Sequence, residues 1–231
     1  MNEELQDGQG QPLAAISRKS AKQAVVDEIR ASIMRGALKA GQRLTENGLA
    51  AQLSVSQTTI REALVELEHL GFVQRVPPRK TYVTKLTRRE IEDIYGVRVP
   101  LELAAIDMLA GASHNDLMGA EIAYQGMLAA MSAMDRVEFE SMDLEFHRAL
   151  WAATGNQALA EILERLCVKL FAFGFVMDRQ ILPSRERMAE QAEQHRQILA
   201  SILKRDLENA KRVMAASMDR QWLDGIDFSA I

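Results

Sequence analysis

Three side chains in the second half of the chain are of the types that hold a divalent ion. Asp143 and His147 stand four residues apart and so share one face of a helix. The same helix carries Phe139, Phe146, Leu150 and Trp151, which sets that face against a core. His195 lies among Met188, Ala192, Ile198, Leu199 and Ile202, again at helical spacing. One carboxylate and two imidazoles suit a transition-metal ion. The spacing equally suits a plain arrangement, in which Asp143 hydrogen-bonds His147 and His195 is a satisfied core histidine. An i,i+4 pair is easily imitated, and spacing alone favours the plain arrangement.

A second chemistry is written into residues 44–70. Leu49, Ala50 and Leu53 form one short helical set, and Ile60, Ala63, Leu64, Leu67 and Leu70 form another. Ser54-Val55-Ser56 between them is the short connection of a helix-turn-helix. Ser56 can cap the second helix, which puts Gln57, Thr58 and Thr59 in its first turn, short polar side chains that no core requires. Such a turn offers side chains to base edges and free backbone N–H groups to phosphate. Two β-prone runs follow, Gly71–Val76 and Thr81–Leu86, separated by Pro77-Pro78-Arg79-Lys80, a turn with two cations. Before them, Ala24–Met34 reads as an amphipathic helix ended by Arg35-Gly36. Three helices and a two-stranded wing make a winged helix-turn-helix, and this stretch is expected to bind DNA.

The net charge of −4 looks wrong for such a partner until it is divided. Residues 18–86 hold 12 Lys/Arg against 6 Asp/Glu, +6, whereas residues 87–231 hold 16 against 23, −7. Only the first part has the electrostatic footprint of a nucleic-acid binder, and the change of sign supports a boundary near residue 86. Residues 1–19 are polar, with Gln, Asp and Gly clustered, and predict a flexible tail. No run approaches the length of a membrane span and no apolar signal core opens the chain. The single cysteine, Cys167, excludes an internal disulfide and sits in an apolar helical stretch, as a core residue does in a reducing cytoplasm.

Residues 20–86 resemble the GntR family of bacterial transcription regulators. The resemblance rests on Ile29, Ile33, Gly36, Gly41, Leu44, Glu46, Leu49-Ala50 and Leu53, and above all on Val55-Ser56 followed by Ile60-Arg61-Glu62-Ala63-Leu64 and Gly71-Phe72-Val73. It implies that Ser56, Gln57, Thr58, Thr59 and Arg61 lie at the major groove and its backbone, with Arg79 and Lys80 at the wing tip. Two positions depart from the family pattern. Gln57 stands where the family usually has an arginine that reads guanine, and glutamine pairs best with adenine. Lys80 stands where the wing usually has glycine.

Residues 87–231 read as an all-α antiparallel bundle of about six helices. The first runs from Thr87 to about Leu109, with Pro100 expected to kink or break it. The others fit about 114–133, 136–153, 157–178, 184–204 and 206–222, with joints at Gly155-Asn156, Pro183-Ser184 and Arg205-Asp206. Arg98 and Glu102, the Asp143-Leu-Glu-Phe-His147 run, Gly155-Asn156 and Glu193-Gln-His195 resemble the FCD-type effector domain of GntR regulators. That resemblance implies a divalent metal, zinc or nickel, on Asp143, His147 and His195. The fourth family ligand, a histidine of the last helix, is missing near Ser217 and Met218. It also implies a small organic acid as effector, with Arg98 as its carboxylate clamp; a salt bridge to Glu102 fits Arg98 as well.

The whole then reads as a cytoplasmic, ligand-responsive repressor, a homodimer on a palindromic operator. Alternatives from the same resemblance and from other classes are a metal-free, acyl-CoA-responsive regulator and an architectural DNA-binding dimer. A metal-dependent enzyme fused to a DNA-binding head has an open three-ligand centre in its favour. Against it, Glu140 and Glu145 are simply helix neighbours, so no general base is evident. The chain is expected not to be an enzyme.

Overall fold

The computed structural model describes residues 20–77, 80–177, 185–218, 223–224 and 228. Ser20 caps α1 (Ala21–Met34) by accepting a hydrogen bond from the Gln23 N–H at 3.2 Å. Val25, Val26, Ile29 and Ile33 are buried along one side of α1. Thr45 caps α2 (Glu46–Leu53) and Ser56 caps α3 (Gln57–His69). The turn between them is sharp because Ser54 takes a left-handed backbone (φ 53°) and the Val55 N–H returns to the Ala50 carbonyl. At the far end of α3, Gly71 (φ 75°) donates to Glu68 O and Phe72 to Leu67 O. That paired closure needs a residue free to adopt positive φ.

Strands β1 (Arg43–Leu44), β2 (Val73–Val76) and β3 (Lys80–Val83) form an antiparallel sheet in the order β1-β3-β2, with Arg43 and Gln74 both opposite Tyr82. Strands β2 and β3 are the expected two-stranded wing, and β1 adds a third strand to their sheet. The third is two residues long, too short to display alternation. Lys80 pairs with Val76 at the end of the ladder rather than lying in the turn. Arg79, expected at the tip, lies outside the described residues, as does the tail of residues 1–19. The head encloses its own core of Val26, Ile29, Ile60, Leu64, Leu67, Val73 and Val83, joined by one distant residue, Ala172.

Helix α4 (Arg88–Met108) opens with a capping box between Thr87 and Glu90 and ends in a 3₁₀ turn, Leu109–Gly111. It is followed by α5 (Met118–Ala133), α6 (Arg136–Ala153), α7 (Gln157–Met177), α8 (Arg185–Leu203) and α9 (Leu207–Ser217). The principal packing contacts close a ring: α4 on α7, α7 on α6, α6 on α5, α5 on α8, α8 on α9 and α9 on α4. Pro100 does not break α4. Both Pro100 and Gly96 are exposed, so the Gly96 carbonyl that loses its partner can meet water. Helix α5 starts four residues later than expected. Asp116 instead accepts from the Ser113 N–H (2.8 Å) and hydroxyl (2.7 Å), a local turn that competes with helix. The Pro183-Ser184 joint and residues 219–222 of the expected last helix lie outside the described residues.

Candidate functional site

Helices α4, α6 and α8 are not neighbours in the ring, and their polar side chains meet at its centre. Asp143 and His147 come from α6 and His195 from α8, with exposures of 7%, 3% and 3%. Each offers one ligand atom within 4.8 Å of the others. His195 Nδ1 is 2.7 Å from the Gln191 carbonyl. A carbonyl only accepts, so Nδ1 carries the proton and Nε2 turns its lone pair toward Asp143 Oδ1, 2.5 Å away. Two acceptors that close require a cation between them, either a second proton on the ring or a metal ion. Both atoms are buried without an aligned hydrogen bond.

The charges say the same. Burial opposes the ionisation of Asp143 and His195, yet their mutual attraction lowers the carboxyl and raises the imidazole. Burial, then the Asp143 carboxylate, push Glu140 above the usual carboxylate range, a strain that a cation would relieve. The donor set therefore fits a divalent ion, and Asp143, His147 and His195 form a candidate metal triad. Among the described residues no fourth His, Cys, Asp or Glu joins it. The Ser217 hydroxyl donates to the Met214 carbonyl (2.8 Å) and Met218 is buried in the bundle core.

Beside the triad lies Glu102, whose spacing from Arg98 in the sequence indicates only that pairing. Glu102 is 1% exposed and accepts from Trp151 Nε1 (2.8 Å) and Arg98 Nε (3.1 Å), with His147 Nδ1 3.3 Å away. Burial would raise its carboxyl, but His147, Arg98 and Trp151 hold it at about 2. Arg98 makes the salt bridge to Glu102 and stacks over the rings of Phe171 (5.4 Å) and Tyr95 (5.9 Å). It borders the triad, with one terminal nitrogen 3.4 Å from His147 Nε2. Cys167 is buried, which pushes its thiol up to about 12 and leaves it a packing residue.

On the head, Ser56, Gln57 and Thr58 are exposed at the start of α3. Thr59 is half-buried, and its backbone N–H (3.1 Å) and hydroxyl (2.8 Å) are both engaged with the Ser56 hydroxyl. Arg61 is exposed and forked onto Glu46, with contacts of 2.8 and 3.2 Å. Next to it runs a groove of about 760 Å³ lined by Arg43, Asn47, Arg61, Arg75 and Thr81.

The sequence profile of the gntR family of bacterial regulatory proteins matches residues 21–83, and that of the FCD domain matches residues 93–220, over half of the chain. The gluconate operon transcriptional repressor of Bacillus licheniformis is 30% identical over 193 residues, covering 80% of this chain and 73% of that protein. The chain belongs to the GntR family. It is a ligand-responsive transcription regulator with an FCD-type effector domain, and the family is one of regulators, not enzymes. The transcriptional regulator McbR of Escherichia coli is 25% identical over 197 residues, covering 85% and 88% of the two chains. The solved structure of E. coli McbR/YncC shares the fold, with a TM-score of 0.69 and 24% identity over 90% of this chain and 98% of that one.

As a GntR regulator, the chain has more cations on its head than the motif residues alone indicate. Arg43 and Arg75 sit on β1 and β2 and reach the groove only because the sheet brings two strands beside α3. Their signal in the sequence is no stronger than the +6 of the region. Glu102 and Trp151 carried a clearer one. Arg98 and Glu102 fall in the buried stripe Ile91, Tyr95, Arg98, Glu102, Ala105, where charge is out of place unless partnered. Trp151 follows His147 by four on the buried face of α6.

Proposed function

We propose that the chain is a repressor that binds a palindromic operator as a homodimer and is released by a small organic acid held at a metal-bearing centre in its bundle. Residues 20–86 form the DNA-binding unit, with Ser56, Gln57, Thr58, Thr59, Arg61, Arg79 and Lys80 at the DNA. Residues 87–231 form the effector-binding and dimerising unit. The observation that carries the effector reading is the buried triad, whose ligand atoms converge without satisfying one another. A divalent ion on Asp143, His147 and His195 would supply a Lewis-acid anchor for a carboxylate. Arg98 would offer a terminal nitrogen to the second oxygen while its Nε stays on Glu102. The similarity to the gluconate operon transcriptional repressor of Bacillus licheniformis supports both repression and a carboxylate. No helix among the described residues is long and apolar enough to cross a membrane, in keeping with a cytoplasmic protein at its operator.

Helix α7 supports coupling between the two units. Phe171 lies against His147 (6.3 Å between rings) and under Arg98 on one side of the helix. On the adjoining face Ala172 completes the core of the head, and the Val168 carbonyl stands 2.5 Å from where a side chain on Gly71 would begin. A shift at the centre therefore reaches the end of α3 through one rigid element. For this to regulate, the effector must bind the free and DNA-bound arrangements with different affinity.

Selection of operator sequences from random duplex DNA by the full chain, followed by titration with a panel of small carboxylic acids and an acyl-CoA in the presence of Zn²⁺, tests the proposal. A dyad-symmetric sequence whose affinity falls with a carboxylic acid is the expected result. A response to acyl-CoA that needs no metal would favour the metal-free regulator. No response to any ligand would leave an architectural DNA-binding dimer.

A further inference from the structure

We propose that Glu102 is the positioning residue of the metal centre: its carboxylate fixes the tautomer and orientation of His147, so that Nε2 is the atom offered to the ion. The inference rests on the metal reading above and adds to it a residue outside the ligand set. Arg98 approaches His147 Nε2 to 3.4 Å, and a guanidinium has only protons to give, so Nε2 is the accepting nitrogen of that ring. The ring proton is then on Nδ1, which faces Glu102 Oε1 at 3.3 Å. That contact lacks the alignment of a full hydrogen bond, and the N–H dipole faces the carboxylate.

Glu102 itself is locked. Trp151 Nε1 holds one oxygen at 2.8 Å, and Arg98 Nε holds the other at 3.1 Å. The same logic operates at His195, whose Nδ1 is tied to the Gln191 carbonyl (2.7 Å) and whose Nε2 faces Asp143. Two imidazoles from two helices are thus set to present the same nitrogen to one carboxylate, one by a backbone carbonyl and the other by Glu102. An outer carboxylate of this kind makes the ligand imidazole more basic and narrows its orientations. Loss of such a partner typically costs about 10–100-fold in metal affinity.

The test uses the full chain, metal-free, with ¹⁵N-labelled histidine at about pH 8, above the ordinary histidine pKa of about 6.5. Long-range ¹H–¹⁵N correlation reads the tautomer of His147, and Zn²⁺ affinity is measured by competition with a fluorescent chelator. The wild-type chain is expected to show the Nδ1–H form at His147. Glu102→Gln, which keeps an oxygen for Trp151 but removes the charge, is expected to mix the two tautomers and weaken Zn²⁺ about 10–100-fold. An Nε2–H tautomer in the wild type would overturn the proposal, and so would unchanged Zn²⁺ affinity in a folded Glu102→Gln. If that variant does not fold, the wild-type tautomer decides. Absence of Zn²⁺ binding by the wild-type chain would remove the metal reading, and this role with it. Zn²⁺ binding with the wrong tautomer would remove only the role of Glu102.

Discussion

Two arginine–glutamate pairs, one in each half of the molecule, have similar contacts and opposite surroundings. Arg61 and Glu46 on the head meet at 2.8 Å with side chains 60% and 36% exposed. Arg98 and Glu102 in the bundle meet at 3.1 Å with side chains 5% and 1% exposed. Water solvates the first pair whether or not it forms, so it adds little net stability, and Arg61 can exchange Glu46 for a phosphate at little cost. The second pair has no water to fall back on. Removing one partner of a buried pair leaves the other charge stranded, at about 3–5 kcal/mol. The same two residue types therefore make a releasable contact on the exposed surface of the head and a fixed frame around His147 in the bundle.

The sharpest way to break this contrast is to truncate the two acids in parallel. Glu102→Ala is expected to lower unfolding free energy by about 3–5 kcal/mol, and Glu46→Ala far less, measured by urea unfolding. Acid should expose the buried pair too. The folded Glu102 carboxyl sits at about 2 against an ordinary value of 4.5, so its contribution is complete above that ordinary value and is lost as pH falls through the folded one. The acid limb of stability should flatten in Glu102→Gln by about 3 kcal/mol. Equal losses in the two series would erase the distinction between the regions.

A middle-sized effect tests the element between the two regions. Gly71 and Gly155 both have positive φ, 75° and 68°, but only at Gly71 would a side chain meet the Val168 carbonyl, at 2.5 Å; at Gly155 it would meet nothing within 4 Å. Gly155→Ala is expected to cost about 1–2 kcal/mol from backbone strain alone. Gly71→Ala should cost clearly more and should also alter DNA affinity, because it pushes α7 off the end of α3. Equal melting temperatures for the two variants would mean that α7 does not grip the head.

The smallest effects belong to the exposed first turn of α3. Gln57→Arg is expected to leave stability unchanged and to move the preferred base at one position of each half-site from adenine toward guanine, by about 1–3 kcal/mol of discrimination. Arg61→Ala should weaken binding to all sequences and lower the salt dependence by about one phosphate contact.

Much of this was legible in the chain because periodicity reports burial. Ile60, Ala63, Leu64 and Leu67 fall on one face of α3, and all four are buried. Asp143 and His147, four apart, do come within reach of His195 from a helix that is not their neighbour in the ring. What stayed hidden depends on distance in space rather than along the chain. Strand β1 is too short to carry a pattern, and Arg43 and Arg75 face the groove only once the sheet is assembled. Pro100 reads as a break wherever it stands, but an exposed proline with an exposed glycine four residues before it leaves the helix whole. Glu102 was visible only as a partner for Arg98; that it also meets Trp151 and His147 required α4 and α6 to face each other across the bundle.

The most direct test of the central claim, that the buried triad is a metal centre and not a self-contained polar cluster, is elemental analysis of the purified chain before and after chelation, beside His147→Ala. The account predicts close to one zinc or nickel ion per chain, removed by chelator and absent from the folded variant. A wild-type chain that carries no metal and takes up none on titration, with His147→Ala equally folded, would make Asp143, His147 and His195 a structural cluster and contradict it.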